Sequence, residues 1–180
     1  MLYQDVTIEP GRLIDQAAEN TVGPLGCPVL VRSAPTLGPE LTDSLRRPEV
    51  VAGIHCAEEI PVLLPVATRE AAARGIPLCV FTAGRTAADR LVESALRAEN
   101  DVPWRLVRTM GERASAALLR YVEPEDLLVL GSRGPVRLSG LAAGSVSRAV
   151  LGAMPCDVLL VPIRPPADEE IVDGEEERHE

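Results

Sequence analysis

Lysine is absent from this chain of 180 residues, and all 18 basic side chains are Arg. That excludes a Walker-type P-loop, a Schiff-base lysine and a lysine general base. Histidine is almost as scarce. With only His55 and the near-terminal His179, a His-rich metal site is excluded, and a Ser-His-Asp triad would have to use His55. The aromatic residues are Tyr3, Phe81, Trp104 and Tyr121, and 27 acidic residues give a formal net charge of −9. So few stacking surfaces and so much negative charge argue against nucleic-acid binding. No apolar run approaches the ~20 residues that span a bilayer, so no membrane partner is expected. The start, MLYQDVTIEPGR, has no apolar core and does not read as a signal peptide. The four cysteines, Cys27, Cys56, Cys79 and Cys156, include no CxxC pair. They are expected to be reduced, mostly buried side chains of a cytoplasmic protein.

What the chain does have is 46% hydrophobic residues, enough for a core in one domain with extensions. Its charge is unevenly placed. Residues 166–180 carry eight acids and one Arg, residues 1–47 are mildly acidic, and residues 48–165 balance to zero. The expected organisation is an N-terminal arm and linker over 1–47, a folded domain over 48–165 and a disordered acidic tail over 166–180.

Within 48–165 the pattern alternates. Val50–Ile54, Leu78–Thr82, Trp104–Arg108, Leu127–Leu130 and Val158–Val161 read as short strands. Helical stretches separate them: one up to Arg74, one capped by Thr86 with Leu91, Val92, Ala95 and Leu96 on one face, Glu112–Tyr121, and Ser145–Gly152. Pro61 suits the first turn of the first helix. Pro65 must kink that helix or move its start later. Strands alternating with helices predict an α/β fold with a mainly parallel sheet and helices on both faces.

The fourth strand runs into Gly131-Ser132-Arg133-Gly134, and Gly144-Ser145 then opens a helix. The spacing is Gly-x2-Gly-x9-Gly-Ser. Open α/β sheets bind ligands at the carboxyl ends of their strands. Glycines there let the chain turn and let an anion approach backbone N–H groups, and a helix N-terminus adds positive potential. Ser145 and Ser147 can add hydroxyls. Between Asp126 and Asp157 there is no acid, only Arg133, Arg137 and Arg148. The pattern points to a small anionic ligand.

DLLVLGSRGPVRLSGLAAGSVSRAVLGAMPCDVLLV, with REAAARGIPLCVFTAG and VPWRLVRTMGERASAALLRYVEPEDLLVLGSRG before it, resembles the universal stress protein family over about residues 48–165. The glycine spacing resembles that of the members that bind ATP. The resemblance implies a flavodoxin-like, Rossmann-like open sheet of five strands in the order 3-2-1-4-5. It implies ATP with Mg2+ as ligand, a stress-response role without dedicated catalysis, and a homodimer formed through the last strand. It makes Gly131, Gly134, Gly144 and Ser145 the phosphate and ribose cradle, flanked by Leu130, Arg133, Val146 and Ser147. Ala83 falls where the family's backbone meets adenine. The departure is His55-Cys56-Ala57, where the family usually carries an acid. His55 is read as a ligand contact or as a partly buried structural side chain, and least as a catalytic base, since no Ser or Cys nucleophile is recognisable by motif. The alternative function is a regulatory protein of the same fold that binds no nucleotide, and a redox sensor through Cys56 or Cys79 ranks third.

Gly23–Val31 matches Gly152–Leu160 in its Gly, Cys, Val and Leu positions. The N-terminal arm therefore reads as the remnant of a preceding tandem domain. Its strand, Pro28–Val31, is expected to pair with Val158–Val161 of the same chain and cover that edge.

Overall fold

Runs that are apolar at every position must be covered on both faces, and Val50, Val51 and Ala52 are fully buried, as is the Leu128–Val129 pair. In the computed structural model, which describes residues 4–8, 28–33, 46–83, 88–99, 101–133 and 145–163, these runs are neighbouring central strands. The strands are β1 (Gln4–Ile8), β2 (Val29–Ser33), β3 (Val50–Ile54), β4 (Leu78–Ala83), β5 (Trp104–Thr109), β6 (Leu127–Arg133) and β7 (Asp157–Ile163). The helices are α1 (Ile60–Arg74), α2 (Ala88–Glu99), α3 (Ala114–Tyr121) and α4 (Ser145–Ala153). Gly134, Gly144, Thr86 and the acidic tail lie outside the described residues.

The strands form one sheet in the order β1-β2-β7-β6-β3-β4-β5. From β5 to β7 all pairings are parallel, and the order is that of the expected five-stranded domain. Alternate residues feed two cores. Val129, Val161 and Leu63 belong to the side of α1 and α2, while Leu128, Leu130, Leu118 and Val150 belong to the side of α3 and α4. Helix α1 begins with Pro61 in its first turn and contains Pro65 within it, so the helix start does not move past the proline. It ends at Gly75, whose left-handed φ of 65° suits glycine.

One expectation is corrected. The sheet has seven strands, not five, because β1 and β2 from the N-terminal arm extend it. Strand β2 is buried at Val29, Leu30 and Val31 and contributes to both cores, so it is an integral sheet strand. Strand β7 pairs with β6 along its length and antiparallel with β2 over Val158–Leu160, so that part of the edge expected to form a homodimer is occupied within the chain. The expected pairing of 28–31 with 158–161 within the chain is present, as Val29↔Leu160, Leu30↔Leu159 and Val31↔Val158.

A charged cluster ties the sheet together at the amino ends of β3 and β6. Asp126, whose side chain is fully buried, accepts the backbone N–H groups of Glu49 (2.8 Å) and Glu123 (2.9 Å) and pairs with Arg46. Glu49 accepts Arg105 Nε at 2.9 Å, Arg46 Nη1 at 2.5 Å and the Tyr121 hydroxyl at 3.0 Å. Burial alone pushes the Glu49 carboxyl up. The hydrogen bonds from Arg105 and Tyr121 and the nearby guanidinium charges outweigh it and hold that carboxyl below its ordinary range. Arg46 also lies over the Tyr121 ring, 4.9 Å from its centroid.

Candidate functional site

Strands β3 and β6 are neighbours, yet their crossovers leave in opposite directions, to β4 and to β7. A crevice opens at the carboxyl ends of strands wherever an α/β sheet reverses in this way. Here it is a cavity of ≈ 750 Å³. Gly53, Leu130, Phe81 and Leu118 line its apolar part. Gly53 matters for shape, because a Cβ there would stand 2.7 Å from Leu130 Cδ2.

The polar lining is His55, Glu59, Arg113, Ser115 and Ser147. His55 is exposed at the end of β3. Its backbone N–H is held by the buried Glu59 carboxylate at 2.7 Å, so Glu59 fixes the turn after β3. Arg113 and Ala114 bring the start of α3 to the cavity, and Val146 and Ser147 bring the first turn of α4. Arg113 occupies the N-cap position of α3 and makes no capping bond with its side chain. The first N–H groups of both helices lack partners inside their own helix, and both helix dipoles direct positive potential here.

The expected site residues divide into three groups. His55, Leu130, Gly131, Val146 and Ser147 line the cavity together. For Ala83, Arg133 and Ser145 only the backbone is described, at the end of β4, the end of β6 and the start of α4. Gly134 and Gly144 lie outside the described residues. Glu59, Arg113, Ser115 and Gly53 were not expected. The signal for Glu59 is an acid soon after a strand end. For Arg113 it is a position immediately before a helix that starts at the ligand side of the sheet.

Two details differ from the expected chemistry. The chain does not turn at Gly131: β6 continues to Arg133, with Gly131 opposite Val161 and Arg133 opposite Ile163. The space beside Gly131 is filled by Ile163, whose Cδ1 would lie 2.2 Å from an added Cβ. Ser147 donates its hydroxyl proton to the Gly131 carbonyl at 3.1 Å, which pins α4 to β6. Gly131→Ala is expected to cost about 1–3 kcal/mol by overpacking against Ile163. Denaturant unfolding tests this, and Ile163→Val in the same chain should recover part of the loss.

Other features of the molecule fit such a site less well. A second groove, of ≈ 490 Å³, runs between α1 and α2 over Ile60, Leu64 and Leu91, with Arg69 as its charged residue among those described. It lacks convergent helix N-termini. The thiols of Cys79 and Cys156 are pushed up by burial to about 11 and about 12, so neither is a ready thiolate. Among the described residues no cluster of His, Cys, Asp or Glu could hold a metal ion, and no helix is long and apolar enough to cross a membrane.

The sequence model of the universal stress protein family matches residues 12–162, most of the chain. The chain belongs to that family. No curated protein matches it. The family match begins inside the N-terminal arm and ends on β7, so it takes in β2 with the five-stranded domain of this universal stress protein. The cavity between β3 and β6 lies wholly within the matched region.

Proposed function

We propose that this universal stress protein binds an adenine nucleotide, ATP with Mg2+, in the cavity between β3 and β6. The observation that carries the reading is the convergence of two helix N-termini on one strand-end crevice, with Gly-x2-Gly-x9-Gly-Ser as the segment that joins β6 to α4. The residues present suit such a ligand. The cavity volume falls within the range of about 300–1,000 Å³ usual for small-molecule sites. Its wall of Phe81, Leu118 and Leu130 suits a base, and the α4 side with Arg113 suits phosphates.

In this reading His55 and Glu59 meet the base or ribose, and ATP loading serves regulation with no dedicated catalysis. Mg2+ would supply charge neutralisation that the chain, without Lys, draws otherwise only from Arg and backbone N–H groups. The second reading, a regulatory protein that binds no nucleotide, is favoured by one observation. Gly131 and Ser147 are each accounted for by packing alone.

Calorimetric titration with ATP-Mg separates the two. ATP at 100 times its Kd should stabilise the fold by about 2.7 kcal/mol, visible as a thermal shift. Gly144→Val should lose both heat and shift. Absence of both in the wild type at about millimolar ATP, where even a Kd of that order would register, selects the second reading.

A further inference from the structure

From Ile60 to Ala67 helix α1 reads Ile-Pro-Val-Leu-Leu-Pro-Val-Ala, about two turns without a polar position. A helix that is apolar all round is expected to be covered on every side. The sheet covers only one side of α1, where Leu63 and Ala67 are fully buried. On the other side Pro61 and Pro65 are exposed. Helix α2 adds to the same surface. Of its apolar stripe, Val92 and Leu96 are buried, but Leu91 is 51% exposed, and among the described residues only Met110 is a comparably bare large hydrophobic side chain. Pro61, Pro65 and Leu91 wall the ≈ 490 Å³ groove between the two helices, and the buried Ile60, Leu64 and Leu96 form its floor.

Pro65 costs α1 stability where it stands. It has no N–H to donate to the Pro61 carbonyl one turn back, and its ring presses on that carbonyl. The helix gives up a bond where it forms the groove wall, and core packing does not require this, because Pro65 is exposed. The chemistry then changes along the groove. After Ala67 come Thr68 and the exposed Arg69, both in the lining, and among the described residues no acid lines it. From Ile60 to Arg69 the helix rises about 13 Å. An apolar channel of that length with one cation at its end is the complement of an acyl chain with a terminal carboxylate.

We propose that this groove binds a free medium-chain carboxylate, its chain along Pro61, Pro65 and Leu91 and its head group on the Arg69 guanidinium. The chain takes out of water the apolar surface that the fold leaves bare. A guanidinium pairs with a carboxylate through two parallel N–H bonds. A membrane surface would call for several cations around the apolar patch. Arg69 is the single cation lining it among the described residues. The inference stands on α1 and α2 and does not depend on nucleotide binding.

Calorimetric titration of the full chain with decanoate, kept below its micelle concentration, gives the test, with decanol as the uncharged match. The wild type should give saturable heat with decanoate and bind decanol about tenfold more weakly, the loss of one charge-assisted pair. Arg69→Gln should bring decanoate down to the level of decanol. Leu91→Asp, at an exposed position that leaves the core alone, should lose the decanoate heat. Pro65→Ala restores the α1 hydrogen bond, so it should raise Tm and yet weaken decanoate several-fold, a pairing of effects that a purely structural proline does not give. Met110→Asp, at the other exposed hydrophobic position, should bind decanoate as the wild type does. The inference is overturned by absence of saturable heat in the wild type or by decanol binding as tightly as decanoate. It is equally overturned by unaltered decanoate affinity in Arg69→Gln, Leu91→Asp or Pro65→Ala, or by an equal loss in Met110→Asp.

Discussion

Asp126→Ala is expected to lower the stability of the fold by about 3–5 kcal/mol, the usual cost of removing one partner from a buried charge cluster. Three groups lose an acceptor at once: the N–H of Glu49, the N–H of Glu123 and the Arg46 guanidinium, which keeps its bond to Glu49. The first two are backbone donors that no side-chain rotation can redirect. For a chain of this size, the Tm should fall by about 10 °C or more. Asp126→Asn keeps an acceptor for one donor and should lose roughly half as much. Differential scanning calorimetry decides, and an unchanged Tm would mean that the cluster is not closed in solution. The same cluster sets an acid limit. The Glu49 carboxyl is held below its ordinary value of 4.5 in the folded chain. Its contribution is therefore complete above 4.5 and is lost as the pH falls through the lower folded value. Glu49→Gln should flatten the stability profile in that acid window and leave its shape near neutral pH unaltered.

The largest effect on binding is expected from Arg113→Glu. Arg113 is exposed at the start of α3 and lines the cavity. Reversing its charge replaces an attraction for phosphate with a repulsion, at a helix terminus whose dipole now meets a side-chain anion before the ligand does. ATP-Mg affinity should drop about 100-fold, equivalent to about 2.7 kcal/mol. Arg113→Gln removes the charge alone and should drop it about tenfold, near 1.4 kcal/mol. Among the described residues this side chain has no hydrogen bond or ion pair to break, so Tm without ligand should change little in both, with Arg113→Glu gaining at most about 1 kcal/mol from its place at the helix N-terminus. Titration calorimetry reads the affinities. Wild-type affinity in Arg113→Glu, alongside loss in Gly144→Val, would place the phosphates away from α3.

The five-stranded part of the fold is legible because its strands are continuous apolar runs buried from two sides. A run such as Leu127–Leu130 admits few other readings, and the turns at Gly75 and Pro103 separate the elements cleanly. Strand β1 is not legible in the same way. Gln4–Ile8 has only two apolar residues, Val6 and Ile8, and pairs with β2 in the sheet. The charged cluster is hidden for a different reason. Arg46 and Asp126 are 80 positions apart, and only the β3–β6 pairing brings their neighbours Glu49 and Leu127 together. In the site, the glycine spacing leads to the crevice, and one of its glycines has a second task. Gly131 lines the cavity and also makes room for Ile163, a contact between β6 and β7 that no local pattern shows. Glu59 and Arg113 belong to the site only through the crossover geometry, which sets which loop ends meet.

The pairing of β2 with β7 also imposes an order on synthesis. Asp157, which accepts from Ser33, is made 124 residues after it. At about 5–20 residues per second, the ribosome needs on the order of ten seconds to supply that partner. Through that interval one edge of β2 faces solvent with its hydrogen-bonding groups unmatched, and neighbouring nascent chains on the same message carry the identical edge. Strand β2 is made long before the strand that completes its second edge, so their pairing closes only after β7 has left the ribosome.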